Sequence, residues 1–308
     1  FVRRRRPLVI SAATVLLALL LGTIGTATQA IRARRAEHEA LRQARVATEV
    51  SGFLSRMLES ANPEVNPRGA NLTVREMVDQ AARELERTQF DDPTVEAGVR
   101  AAMGSTYLGL ALYAPAIAEL RRVVELADRS GDAGAPAGLT AQLSLIEAYE
   151  KGGEATAADS LLSVVGRRLG EGGRASARVD PALVARYHEV LGDHLGNAGR
   201  WAEADSFLEI AVAIRREARA EAPAPLARAL SDLAQVRRAR GAIAEAESLG
   251  REALTRTREA YPGDHHEVAM AAARLAATLE DAGSFPEAES LLREAVSIHD
   301  RVLGPAHP

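Results

Sequence analysis

The chain has 308 residues, 47% hydrophobic and 26% charged, which is the composition of folded protein and enough length for about two ordinary domains. It has no cysteine, which excludes disulfides, thiolate metal sites and cysteine nucleophiles. The net charge of −4 hides an asymmetry: residues 1–35 hold seven arginines and no acid, leaving −11 for the rest, and an acidic body of this kind excludes nucleic acid as the expected partner. Aromatic residues are only 4%, and the abundance of Ala, Leu, Arg and Glu favours helices over sheets.

Residues 1–6 form a basic segment, with Arg3 to Arg6 in one run. Residues 7–31 then carry no charge. At ~1.5 Å per residue, such a stretch spans ~37 Å as a helix, enough to cross a hydrocarbon core of ~30 Å. A single transmembrane helix in a lipid bilayer is therefore expected. The denser arginine cluster before it puts the N-terminus in the cytoplasm and the body outside it. A signal peptide is the competing reading, and the start at Phe1, without Met, favours an internal anchor with further chain before it.

Residues 32–60 follow as an amphipathic stalk helix, with Leu41, Val46, Val50, Phe53, Leu54, Met57 and Leu58 at helical spacing. Such a stripe could also carry a homodimer. Asn62-Pro63 and Asn66-Pro67 break the helix, and residues 61–92 form a linker and a capping helix. Thr73 with Glu76 three residues later is a capping box for that helix.

From Pro93 onward the chain repeats itself. One anchor appears as Gly199-Arg-Trp-Ala-Glu-Ala-Asp-Ser-Phe207, Gly241-Ala-Ile-Ala-Glu-Ala-Glu-Ser-Leu249 and Gly283-Ser-Phe-Pro-Glu-Ala-Glu-Ser-Leu291. Weaker copies start at Gly153 and Ala111, so the steps are 42, 46, 42 and 42 residues. Each copy predicts a first helix, a turn at the anchor glycine and a second helix. In the third copy Leu183, Val184, Tyr187, Leu191 and Leu195 mark one apolar face, and Trp201, Ala204, Leu208, Ala211 and Ile214 the other. Trp201 is expected in the core, and Ala204 where two helices approach closely. One pair cannot bury its stripe alone, so stacking of neighbours is required. Residues 93–303 thus hold five repeats, and 304–308 the start of a further one. The predicted fold is all-α: a transmembrane helix and stalk, then a right-handed superhelix.

These copies resemble tetratricopeptide repeats. Leu191-Gly192, Trp201, Ala204 and Ala211 match that family's pattern, as do Leu233-Ala234 with Ala246, and Leu275-Ala276 with Phe285, Ala288 and Ala295. The second copy departs, with Ile146 where Gly or Ala is expected. The 42-residue length resembles the kinesin-light-chain type, and Leu303-Gly-Pro-Ala-His-Pro308 is similar to the linker opening another repeat. The layout also resembles bacterial serine/threonine protein kinases with a C-terminal repeat region. There the kinase domain precedes the arginines and the membrane helix, and segments like Val50-Ser-Gly-Phe-Leu-Ser-Arg-Met-Leu-Glu59 and Leu72-Thr-Val-Arg-Glu-Met-Val-Asp-Gln-Ala-Ala-Arg-Glu-Leu85 follow. That resemblance implies a sensor or docking region. A membrane-anchored assembly scaffold without a kinase is the alternative.

No catalytic residue, metal site or cofactor is expected within the chain. Gly170-Glu-Gly-Gly173 has no preceding strand, and no His-Arg-Asp or Asp-Phe-Gly segment occurs. His265, His266 and Glu267 lack the spacing of a zinc helix, and His188 and His194 lie on different faces. Ser160, Ser206, Ser248 and Ser290 recur with the repeat and read as structural. The tetratricopeptide resemblance places a peptide groove on the first helices. Its positions correspond to Arg186, Glu189, Asp193, Asn197, Arg228, Gln235 and Arg238. Glu189 and Asp193 stand where Lys and Asn of the family's carboxylate clamp are expected, which favours a mixed or basic protein or peptide ligand.

Overall fold

A computed structural model describes residues 29, 33–34, 37, 40–59, 73–170, 180–218 and 222–302. All regular structure among them is helical: α1 (40–59), α2 (Val74–Arg87), α3 (Pro93–Gly109), α4 (Tyr113–Ser130), α5 (Pro136–Gly152), α6 (Ala155–Gly170), α7 (Pro181–Asn197), α8 (Trp201–Glu217), α9 (Pro223–Ala239), α10 (Ile243–Ala260), α11 (His266–Asp281) and α12 (Phe285–Val302). The chain forms two compact units, Phe1–Met103 and Gly104–Pro308. Nearly all of the proposed membrane segment 7–31 and the tail 303–308 lie outside the described residues. Among the described residues no helix is long and apolar enough to cross a membrane.

In the first unit the capping box forms as expected. The Thr73 backbone N–H donates to Glu76 Oε2 at 2.8 Å, and the Glu76 N–H donates to Thr73 Oγ1 at 3.2 Å. Two reciprocal bonds thus satisfy donors that an uncapped helix start would leave unpaired. Val78, Ala81 and Leu85 are buried along one face of α2. Phe53 of α1 is also buried, and Val46 fills the space where Gly98 has no side chain, so the middle of the α1 stripe is covered within this unit. Leu41 and Leu58 stay exposed. Arg100 is buried and donates to Glu96 and Glu86 at 2.9 and 2.8 Å.

The second unit is a helical-repeat solenoid of tetratricopeptide-like type. The helix pairs α5/α6, α7/α8, α9/α10 and α11/α12 fall on the second to fifth sequence copies, and the unit opens with the last residues of α3 and with α4. The same corner closes each first helix. At the third copy Arg200 N–H donates to Leu195 O at 2.8 Å and Gly199 N–H to Gly196 O at 2.9 Å. This pattern requires a left-handed residue between them. Gly153, Gly199, Gly241 and Gly283 take φ of 78°, 75°, 79° and 77° there, and Ala111 takes 55°, the one non-glycine with positive φ among the described residues.

After each corner an alanine lies at the closest approach of the two helices: Ala116, Ala158, Ala204, Ala246 and Ala288 are all buried. In the third copy the fit is tight enough that a Cβ on Gly192 would stand 2.6 Å from Leu208 Cγ. Gly104 meets Leu120 in the same way in the first copy, at 2.7 Å. The second copy has Ile146 and Leu162 at these positions, and both are buried. The bulk of Ile146 is accommodated by a looser pair: α5 and α6 run less closely together than α7 and α8. Trp201 departs from the core position expected of it, being 40% exposed. It sits on the first turn of α8, at the edge of the stack, and lies over Gly196.

Successive first helices touch one another, α5 with α7, α7 with α9 and α9 with α11. Among the described residues, the backbones of successive second helices stay farther apart. They are linked by long ion pairs: Arg216 to Glu252 at 2.6 Å, and Arg258 to Glu294 at 2.7 Å one repeat later. The first helices therefore form the inner, more closely stacked face of this unit.

The corner yields a test. Replacing Ala111 with Gly removes a left-handed strain of about 1–2 kcal/mol while adding unfolded-state entropy, for a net gain of about 0.5–1 kcal/mol. Gly199→Ala should lose about 1 kcal/mol. Urea or thermal unfolding of both variants checks the opposite signs.

Candidate functional site

The inner face carries charged side chains whose partners mostly lie one repeat away. Arg186 on α7 donates through Nη2 to Ser144 Oγ and Glu147 Oε1 on α5, both at 3.0 Å. Arg274 on α11 donates to Ser231 Oγ and Asp232 Oδ1 on α9, at 3.0 and 3.1 Å. Arg238 on α9 reaches forward to Asp281 Oδ2 at 3.1 Å, and its buried Nε has no partner among the described residues. Asn197 donates to Glu150 Oε2 at 3.2 Å. These bonds tie neighbouring first helices together, so the face is both a surface and part of what orders the stack.

Glu189 plays a different part from the one its position implies. It is buried and accepts from Arg215 Nε of α8 at 2.8 Å, with both side chains almost fully enclosed. Its carboxylate is held between the two helices of one repeat and is not offered to a ligand. Arg228 is exposed, and Gln235 is half-buried on α9.

Asp193 stands apart. It is accessible, with no hydrogen-bond partner among the described residues. Its pKa is raised well above the ordinary carboxylate value, first by the surrounding protein and then by Asp232, Glu189 and Glu147, with Arg274 opposing. Accessibility and desolvation coexist because a side chain on an inner face can meet solvent on one side and dense protein on the others. Asp232 is also raised, by burial above all, although Arg274 bonds to it.

Arg186, Glu189, Asp193 and Asn197 share α7, and Arg228, Gln235 and Arg238 share α9. Sequence reasoning missed the partners on neighbouring first helices, Ser144, Glu147, Glu150 and Asp281, and the Asp232–Arg274 pair beside them. The partners lie 39 to 47 residues from the groove residues they meet, so a search for opposite charges at one repeat length would have found them.

The expected structural histidines and serines have local roles. His265 caps α11 by accepting from the Glu267 N–H and stacks on Tyr261. His188 stacks on Phe207, and burial lowers its pKa. Ser160 and Ser206 donate to carbonyls four residues earlier on their own helices. Among the described residues no group of three or more histidine, aspartate or glutamate side chains is arranged to hold a metal ion.

The tetratricopeptide repeat family matches residues 225–301, which corresponds closely to α9 through α12. No curated protein matches the chain. Solved structures share the fold. The kinesin light chain nearly identical TPR-like repeats of Podosopora anserina are 21% identical with a TM-score of 0.51, covering 69% of this chain and 98% of theirs. Rap protein complexed with competence and sporulation factor is 13% identical with a TM-score of 0.61, covering 82% of this chain and 65% of that one. NprR in complex with its cognate peptide NprX is 12% identical with a TM-score of 0.53, covering 85% of this chain and 74% of that one. These likenesses establish an all-α repeat solenoid of tetratricopeptide type.

Asp193→Asn tests the electrostatics. A carboxylate whose pKa is raised on folding costs stability once ionised, so stability falls as pH climbs from the unfolded value of about 3.9 through the raised one. The variant should melt higher than the parent at neutral pH, by roughly 0.5 kcal/mol given its solvent access, and the gap should close in acid.

Proposed function

We propose that the inner face of the first helices docks a protein or peptide segment carrying positive charge. The observation that carries this reading is Asp193: an accessible carboxylate, without a hydrogen-bonded partner, crowded by further carboxylates on a face where most charges are paired. A lysine or arginine side chain would relieve that repulsion and gain a charge-assisted hydrogen bond. Arg186 and Asn197 share α7 with Asp193, and Arg228, Gln235 and Arg238 lie on the next first helix, which suits a ligand of mixed charge with a cation at its centre. Support by fold analogy comes from the Rap and NprR structures, whose names describe complexes with a factor and a cognate peptide.

The same reading extends to the rest of the chain. Residues 7–31 serve as a single-pass anchor in the bilayer, with the N-terminus cytoplasmic and the repeats on the other side. The motifs of 50–59 and 72–85 favour the docking region of a serine/threonine protein kinase whose catalytic domain lies before this segment. A membrane-anchored assembly scaffold is the second reading; a dimer through the stalk would use the exposed Leu41 and Leu58. We further infer that another repeat stacks on α12. Leu292 and Val296 are 37% and 59% exposed, whereas Leu254, one repeat before Val296, is buried against α11.

Fluorescence anisotropy with labelled lysine- and arginine-containing peptides, set against acidic ones, tests the docking face. Basic peptides should bind, and more tightly as pH rises through the Asp193 pKa. Asp193→Asn should weaken them about tenfold, roughly 1.4 kcal/mol, while Glu252→Gln on the outer face leaves them unchanged. Equal binding of acidic peptides, or an unaltered Asp193→Asn variant, sinks the reading. Protease protection of a C-terminal tag in intact cells checks the orientation.

A further inference from the structure

We propose that His194 is a proton-operated staple between the second and third repeats, holding α7 against α5 and α6 while its ring is protonated and releasing that junction when it is not. The side chain is 8% exposed. Its Nδ1 lies 2.5 Å from Glu150 Oε1 on α5, and its Nε2 lies 2.8 Å from Asp159 Oδ1 on α6. Both carboxylates can only accept. A neutral imidazole has one N–H, so it can satisfy one of them and must point a lone pair at the other. The imidazolium donates to both. The staple also reaches the inner face, because the other oxygen of Glu150 accepts from Asn197 Nδ2 at 3.2 Å.

The place of this residue matters as much as its contacts. The step between the second and third copies is 46 residues, against 42 elsewhere. The equivalents of His194 in the two following copies are Val236 and Thr278, which do not titrate in the physiological range. α6 meets α7 along much less of its length than α8 meets α9. Another close fit there is Tyr187, whose hydroxyl stands where Gly166 lacks a side chain. A junction with few contacts leaves each bond a larger share of the coupling.

The surrounding charges leave the histidine to its two acids. On α5, Glu147 is held by Arg186. Arg200, just before α8, senses Asp159 but is bonded to Glu203. Arg215 of α8 and Asp232 of α9 act on Glu189 and Asp193. Burial disfavours the charged ring, but the bonds to Glu150 and then Asp159 outweigh it, and the pKa is raised. A histidine raised on folding contributes stability that is complete below the unfolded value of about 6.5 and is lost as pH rises through the folded value.

Mass spectrometry of histidine C2–H exchange on the full chain in detergent micelles, free of ligand, reads the His194 pKa directly. A value above about 6.5 is expected, and a value at or below it overturns the proposal. Amide exchange over α5 and α7, corrected for its intrinsic pH dependence, should lose about tenfold in protection between about pH 6 and about pH 9, while α9 and α10 do not change. His194→Gln should abolish the slope. Should that variant fail to fold, Asp159→Asn, at the more exposed end of the staple, should lower the His194 pKa and flatten the slope. Wild-type protection that does not vary with pH rejects the staple, and since no ligand is present the result is separate from that of the docking experiment.

Discussion

Everything in the repeat unit depends on one corner and the close approach that follows it. A first helix ends in a left-handed residue, which lets two backbone N–H groups turn back onto its last carbonyls and reverses the chain within a few residues. Five residues past the left-handed one an alanine lets the second helix come close. Without the corner the two helices would diverge; without the alanine they could not approach. Their approach buries a stripe on each, but a pair still exposes its other face. Only the next pair can cover that face, which is why the fold is an array.

Variation between copies follows from the same geometry. Glycine at 192 lets Leu208 seat against the first helix, whereas the fourth copy has Gly250 at the position of Leu208, and there Leu275 of the next first helix comes close. Ile146 with Leu162 has bulk on both sides, and α5 and α6 are correspondingly less closely apposed. Leu292, at the position of Leu208, is not enclosed, because among the described residues nothing stacks on α12. The two faces of the array also differ in kind. Inner-face bonds from Arg186 and Arg274 join first helices already in contact. The outer-face pairs Arg216–Glu252 and Arg258–Glu294 join second helices whose backbones stand farther apart. The outer pairs are exposed and individually weak, but they keep one register at the repeat spacing.

The sequence made the array legible because its restraints are local and recur. A glycine corner, an alanine five residues later and a 42-residue step can be read from residues close together in the chain. The five buried alanines and the left-handed corners stand where that pattern puts them. Trp201 was misread because its exposure depends on what lies at the edge of the stack, and no period in its own helix reports that. Glu189 was misread for a related reason. Its position in the repeat points to the inner face, but Arg215, 26 residues on, draws its carboxylate between two helices. The membrane segment rests on hydropathy and flanking arginines and lies almost wholly outside the described residues. The inter-repeat ion pairs were legible in principle, since their spacing is close to the repeat length, but only once the stacking was known.

Asp193 can be judged only against the rest of its face. A repeat array tends towards mutual satisfaction, because each charged residue has a neighbour at the same height on the next helix. Arg186 finds Glu147, Arg274 finds Asp232 and Arg238 finds Asp281. With that arrangement available, an acid placed among acids is a local conflict, and a lysine or asparagine at 193 would remove it. Proteins keep such conflicts where something other than folding requires them. Here the conflict lies on the accessible inner face, where the proposed docking of a positively charged segment would relieve it. A cation brought by a partner would turn the repulsion among Glu147, Asp193 and Asp232 into attraction, so the feature that costs the free solenoid stability is the one that would hold its ligand.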